Sequence, residues 1–350
     1  MTSESDSMSA SHFLDVLRKR CPDYFDDLVI VGYRRGIDVY PAVRLPIVLG
    51  NALKVFQHAH GRLPDLVTLP KTADHFFKMK FFDRIPISPN PASKLSCYDY
   101  IPAKFAGRVR APNRYWVSER PLLPPDTEIP PGIYWLKLEF GNAGHLRLVW
   151  PPTAKQRHVI NQALGQRMKQ AFGVSNGEWW YGTNPQRVFL EEDLSDLLEG
   201  GQELKLFIRE GRFAAGYEVQ YASNSKQKQS SLGFFNDMGE PMSGTRRLGR
   251  HNPDYNERQF QRPNDFDKII EAAEVIGRPF SLVRVDMMRA KDGELFLGEL
   301  TLCTGNATVI FTPQSLEDYL RHQLFETIPR PHTRFSGQTG RIALTEEKSH

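Results

Sequence analysis

Cysteine is scarce in this chain of 350 residues. Cys21, Cys97 and Cys303 lie far apart and form no metal-type pair, which argues against a zinc site and against a disulfide scaffold. Long apolar runs are missing as well. The start, MTSESDSMSA, is polar and has no hydrophobic h-region, and no later stretch approaches bilayer-spanning length. The expectation is a reduced, cytoplasmic protein without a transmembrane segment. Charge of one sign is not in excess either: the net charge of +4 gives no reason to expect a nucleic-acid partner. No internal repeat is present. What remains is globular composition, 40% hydrophobic and 25% charged, on a chain long enough for one large domain or two to three subdomains.

Helical spacing marks SHFLDVLRKR and LPIVLGNALKVFQHAHG, the second closing at Gly61 where a C-cap falls. His58 and His60 in that helix point to different sides, so two partly exposed helix histidines are expected rather than a metal pair. The prolines of PNRYWVSERPLLPPDTEIPPG, residues 112–132, forbid a helix and read as a connector. IYWLKLEFGNAGHLRLVW follows as two alternating strands joined at a tip from Gly141 to Gly144, then TAKQRHVINQALGQRMKQAFG as a helix from Thr153 to Gly173. Next come VFLEEDL, ELKLFIREGRFAAGYEVQY, and a polar insertion over 223–255 carrying Lys226, Lys228, Arg246, Arg247 and Arg250. That insertion reads either as a contact for an anionic glycan or as a solvated loop. A helix over 263–277, the hairpin SLVRVDMMRAKDGELFLGEL and a last helix, PQSLEDYLRHQLFE, complete the pattern.

Two acids of that hairpin are oddly placed. Asp286 sits in an apolar, β-branched run, and Glu299 closes a second one. Alternation puts Arg284 and Asp286 on one face. A two-residue turn at Asp292-Gly293 pairs Lys291 with Glu294 and, counted outward, sets Asp286 opposite Glu299. Like charges so opposed repel. Either Arg284 neutralises one of them, or the pair holds a hard cation such as Mg²⁺ together with phosphate oxygens and water. A bulge at the turn would shift this register by one. Lys137, beside the Gly141–Gly144 tip, reads as a phosphate cradle or as an edge-strand lysine that discourages aggregation. Glu191 and Glu192 end a strand whose backbone edge suits adenine and whose carboxylates suit ribose hydroxyls; paired acids also mark solvated strand ends.

In this order the pieces resemble the ATP-grasp superfamily, and within it the TupA-like branch associated with bacterial surface polysaccharide and polyanion synthesis. The resemblance runs over about 55–325. It rests on HGRLPDLVTLPKTADHFFKMKFFDR, KLSCYDYI, the Lys137 strand and its loop, EWWYGTNPQRVFLEEDL, LKLFIREGR and, most specifically, VRVDMMRAKDGELFLGELT. It implies an α+β (α/β) ATP-grasp fold of two subdomains enclosing ATP, preceded by a helical segment. The implied division is 1–70 helical, 71–130 N-terminal, 131–200 central and nucleotide-binding, 201–328 C-terminal with the metal site, and 329–350 a flexible tail.

By the same resemblance Lys137 meets the phosphates, Glu191, Glu192 and Leu194 surround the hinge and nucleoside, and Asp286 and Glu299 hold Mg²⁺, as two ions for which Mn²⁺ can substitute. Thr301 stands where better-known members carry a metal-binding Asn, and Asn306 in the following loop is an alternative donor. The loop GNAGH brings His145 either to a phosphate or to an ordinary strand start. Lys205 matches a family lysine that either touches nucleotide or pairs with an acid. The implied reaction is phosphorylation of a carboxylate followed by amine attack to give an amide, with Lys137 and Arg284 balancing charge. The substrates would include a surface glycan or its precursor. Two other classes keep the same fold: a phosphotransferase acting on a sugar or hydroxyl, and a non-catalytic nucleotide-binding assembly protein.

Overall fold

The computed structural model describes residues 45–81, 88–105, 107–141, 145–169, 172–182, 186–198, 201–220 and 230–327, together with Lys19. The expected helix at SHFLDVLRKR, Gly144, Lys226, Lys228 and the tail 329–350 lie outside the described residues, apart from Lys19. The first described helices are α1 (Leu45–His60) and α2 (Thr72–Phe81). Gly61 follows α1 at φ +72°, the left-handed conformation that ends a helix. Its amide donates to Gln57 O at 2.8 Å. His58 leans on His251 (4.7 Å between rings), whereas His60 bonds to Ala307 O at 2.9 Å, so the two diverge as the spacing requires.

Strands β1 (Val109–Arg110), β2 (Arg114–Ser118), β3 (Gly132–Leu138) and β4 (Leu146–Trp150) lead to α3 (Ala154–Arg167), then β5 (Val188–Glu192) and the short α4 (Ser195–Leu198). The proline-rich stretch is therefore more than a connector. Its RYWVS segment, free of proline, is strand β2, paired antiparallel with β5. β2, β5, β3 and β4 form one sheet in that order. Tyr134, Leu136, Leu138, Leu148, Val188 and Leu190 face α3 through Ile160 and Leu164. Period-2 alternation turns Trp135 and Lys137 to the other face. Thr153 caps α3 in a capping box with Gln156, as its sequence suggests. The helix ends at Arg167, short of Gly173, which sits in a separate turn at φ +70°.

The second sheet uses β6 (Gln202–Arg209), β7 (Arg212–Gln220), β8 (Ser231–Phe235), β9 (Pro241–Met242), β11 (Asn256–Glu257), β12 (Leu282–Arg289) and β13 (Leu295–Thr301). Its order is β1-β13-β12-β6-β7-β8-β11, with β9 against β8. A separate two-stranded sheet pairs β10 (Thr245–Leu248) antiparallel with β14 (Val309–Thr312). Much of the expected polar insertion is thus structure. Ser231–Phe235 is a buried strand whose Leu232 and Phe234 enter the core, a signal masked by the polar residues around it. α5 (Phe266–Gly277) covers the sheet face made by Leu204, Leu206, Ile208, Val283, Val285 and Met287. α1, α2 and α6 (Gln314–Arg321) cover the opposite face. The architecture is α+β. Among the described residues no helix is long and apolar enough to cross a membrane.

The β12–β13 hairpin reaches its expected pairing by an unexpected route. Its turn holds three residues, Lys291 to Gly293, closed by Ala290 N donating to Glu294 O at 2.8 Å. That shifts the register by one, so Met287 pairs with Leu297. A bulge at Gly298 then shifts it back, and Asp286 does lie opposite Glu299.

Helix α5 approaches the sheet closely at its last residue. A Cβ on Gly277 would lie 2.6 Å from Ile208 Cγ2 and 2.7 Å from its Cβ, the stiff part of a branched side chain. Ala in place of Gly normally favours a helix by about 1 kcal/mol. Here Gly277→Ala is expected to destabilise the fold by about 1–3 kcal/mol through overpacking. Chemical denaturation of wild type and variant checks the sign.

Candidate active site

A cavity of about 450 Å³ opens between the two sheets. The small sheet contributes Trp135, Lys137 and Glu191 from the face turned away from α3, with Gly141 and His145 at the hairpin tip. The large sheet contributes Lys205, Asp286 and Glu299, which are direct register neighbours across β6, β12 and β13. Glu192, Leu194 and Ser195 form the seam where the chain passes from one sheet to the other.

Asp286 is only 2% exposed, and both of its oxygens are used. Arg284 donates to it twice, Nε to Oδ1 at 2.6 Å and NH2 to Oδ2 at 2.7 Å, and Lys205 Nζ donates to Oδ2 at 2.6 Å. Burial alone would raise the Asp286 pKa. The adjacent Arg284 and Lys205 charges overturn that and hold it at about 2. The repulsion expected of two opposed acids is therefore resolved by Arg284, which also donates to Glu299 Oε1 at 3.2 Å and to Thr301 Oγ1 at 2.9 Å. Lys205 in turn bonds to Glu203 at 2.7 Å. Its family-suggested place beside an acid and its place on the cavity wall hold together.

Glu299 differs from Asp286. Its side chain is 44% exposed, and its Oε2 has no hydrogen-bond partner among the described residues, although Oε1 also accepts from Thr301 Oγ1 at 3.2 Å. Asp286, Glu299 and Thr301 are oxygen donors of the kind a hard cation takes, with Asp286 already bonded to Arg284 and Lys205 through both oxygens. Among the described residues no cluster of three or more His, Cys, Asp or Glu converges on one point. Any ion here would rely on two carboxylates and a hydroxyl, with phosphate and water as further ligands, a set that fits Mg²⁺. Asn306 does not join them. Its Oδ1 accepts from the buried Lys80 Nζ at 2.5 Å, away from the cavity wall.

On the opposite wall Lys137 is ion-paired to Glu191 and is about one-quarter exposed. Glu192 Oε2 accepts from Asn113 Nδ2 at 2.9 Å and lies 3.4 Å from Arg110. Leu194 packs with Ala290 and Phe296. His145 is exposed at the rim. Desolvation, with the charges of Lys94, Lys137 and Arg167, lowers its pKa to about 4, so it is neutral at pH 7. Lys94 escaped the sequence reading, although it opens KLSCYDYI. Its Nζ donates to Gly141 O, and no carboxylate lies within ion-pair distance among the described residues. Burial lowers its pKa. Among the described residues it is the cavity lysine with no carboxylate in ion-pair contact.

The two facing acids should respond differently to neutralisation. Asp286→Asn leaves Arg284 and Lys205 buried against an amide, and a loss of about 3 kcal/mol in folding stability at pH 7 is expected. Glu299→Gln should cost under about 1 kcal/mol, as for an exposed ion pair. Because the folded-state pKa of Asp286 is depressed, its contribution is fully present above its ordinary value of 3.8 and fades as pH falls toward about 2. Denaturation curves of wild type and Asp286→Asn should therefore converge between about pH 4 and pH 2. A gap that widens there would contradict the ion-pair assignment.

No protein-family model matches the chain, and no curated protein matches it. Solved structures do. D-alanine–D-alanine ligase from Bacillus anthracis is 13% identical, with 67% of this chain and 64% of that chain covered and a TM-score of 0.40. D-alanyl-alanine synthetase A from Vibrio cholerae O1 biovar eltor is also 13% identical, covering 74% of this chain and 73% of that chain at a TM-score of 0.37. The ATP-grasp ligase PsnB, complexed with its minimal precursor, is 13% identical over 62% of this chain and 53% of its own, at a TM-score of 0.33. The chain thus spans about half the length of PsnB.

Proposed function

We propose that the chain is an ATP-grasp ligase that phosphorylates a carboxylate with ATP and joins the acyl phosphate to an amine. The supporting observation is the inter-sheet cavity itself. It has Lys94 and the Glu191-paired Lys137 on one wall and, on the other, two facing carboxylates that Arg284 holds together, with Lys205 on Asp286. In this reading residues 131–200 and 201–328 are the halves that enclose the nucleotide. Lys94 and Lys137 bind the triphosphate. Leu194 and Met288 flank the adenosine at the seam, with Glu191 and Glu192 beside it. Asp286, Glu299 and Thr301 would hold Mg²⁺, which when bound supplies charge neutralisation between the β and γ phosphates.

The chemistry needs no nucleophilic side chain. An oxygen of the substrate carboxylate attacks the γ phosphorus, the bond to the β-phosphate oxygen breaks, and ADP leaves. The amine nitrogen then attacks the acyl carbon and loses a proton as inorganic phosphate departs. The protein's part is to align the reactants and balance developing charge. Arg284 holds Asp286 and Glu299 in place, and Lys94 faces the phosphates with a charge that is not already neutralised. A glycan-borne carboxylate or amine rests on the TupA-like resemblance alone, and a cytoplasmic setting on the scarcity of cysteine and of long apolar runs.

Purified protein supplied with MgATP should release ADP only when a suitable carboxylate and amine are both present, and the product should be an amide. A stable phosphate ester would make it a phosphotransferase, and no turnover with any pair would favour a binding protein. Removing one charged hydrogen bond to phosphate costs about 1.5–3 kcal/mol, so Lys94→Met should raise the nucleotide Kd by roughly 10- to 100-fold. Calorimetric titration checks this, with circular dichroism to confirm the fold.

A further inference from the structure

Arg246 is inward-facing on β10 and only 9% exposed. Its guanidinium carbon lies 4.8 Å from the ring centre of Tyr217 and 5.3 Å from that of Tyr255. Its Nε is buried without a hydrogen-bond partner, and among the described residues no carboxylate pairs with it. Nearby arginines do better: Arg247 lies 3.7 Å from Asp254, and Arg258 3.4 Å from Glu218. Two cation–π contacts offset only part of the cost of taking a guanidinium out of water, and a buried cation ordinarily has an anion beside it. The protein supplies the aromatic platform and leaves the anion out.

The position of that platform gives the missing anion a meaning. On one face of the large sheet Glu299, Asp286, Lys205 and Tyr217 are successive register partners across β13, β12, β6 and β7. Tyr217 is fully buried, and its hydroxyl lies 3.5 Å from Arg284 NH1. Arg246 therefore stands over the end of the same row whose other end is Glu299. With strands about 4.8 Å apart, Tyr217 lies two strands, roughly 10 Å, from Asp286. Lys94 and Lys137 are on the other wall of the cavity, and Arg246 stands outside its lining, joined to the row through Tyr217.

We propose that Arg246 is a substrate-specificity residue that binds a second carboxylate on the substrate, at the Tyr217 end of the row. This rests on the ligase reading above. A lone planar guanidinium matches a carboxylate in bidentate fashion, whereas phosphate sites gather several donors. The substrate class is accordingly a compound with a carboxylate remote from its reacting carboxyl or amine, such as a dicarboxylic acid, an amino acid or a uronate.

The full chain is tested by thermal unfolding with sodium succinate, acetate or inorganic phosphate against chloride of matched ionic strength. Arg246→Met is compared with Arg247→Met as a neighbouring control, and Arg246→Lys takes its place if the Met variant does not fold. Wild type should gain about 2 °C or more from a carboxylate at about ten times its Kd. The Arg247 variant should retain the gain and the Arg246 variant should lose it. Equal gains in all three proteins, no gain in wild type, or a response to phosphate alone would overturn the assignment. A parallel MgATP arm separates the two readings. The Arg246 variant should keep the nucleotide response, and a wild type without one sinks the ligase reading whatever the carboxylates do.

Discussion

The site depends on one ionic contact. Asp286 is taken out of water on a central strand, and nothing would keep it charged there except Arg284 on its own strand and Lys205 on the next. Those partners are fixed by pairing, since Arg284 precedes Asp286 by one alternation and Lys205 is its register partner. Because Arg284 also reaches Glu299 and Thr301, it ties the neighbouring strand into the same network. The result is an asymmetric pair: one carboxylate neutralised and buried, the other open to the cavity. A divalent cation approaching from the cavity would meet Glu299 first and find Asp286 already rigid, which is the kind of preorganisation that catalysis of charge transfer requires.

This asymmetry also changes what the two acids mean for the fold. Opposed carboxylates read from sequence suggest repulsion relieved by removing either one. In the structure, removing the charge of Asp286 would leave two buried cations uncompensated, whereas Glu299 is half in water. Stability thus rests on Asp286, and the proposed function leaves Glu299 for the ion. The same contrast extends to the lysines. Lys137 and Lys205 are partnered by Glu191 and Asp286, whereas among the described residues Lys94 has no carboxylate partner and bonds to Gly141 O where the hairpin tip meets the segment before Cys97.

Much of this was legible in the chain because it follows from period and punctuation. Thr153 with Gln156, Gly61 after α1, and the alternation of β3, β12 and β13 each depend on a few adjacent residues. The Asp286–Glu299 pairing was legible only because two irregularities cancel, a three-residue turn and a bulge at Gly298; a glycine in a strand hints at a bulge but does not say which way the register moves. Other features depend on distant partners that no local pattern reveals. Asn306 looked like a donor near Thr301, but Lys80 from α2 claims it. Lys94 and Arg246 sit in polar surroundings along the sequence, and only the packing of remote elements shows that one meets a backbone carbonyl at the cavity and the other two tyrosine rings.

The central claim, that the inter-sheet cavity takes a nucleotide with its metal against Glu299, is tested most directly by calorimetric titration of ATP into wild type and Glu299→Gln, each with Mg²⁺ and with EDTA. The account predicts binding by wild type that weakens by an order of magnitude or more in EDTA, and a variant that folds normally but shows little difference between the two conditions. Equal affinity for ATP in Mg²⁺ and EDTA, or an undiminished Mg²⁺ dependence in the variant, would contradict it.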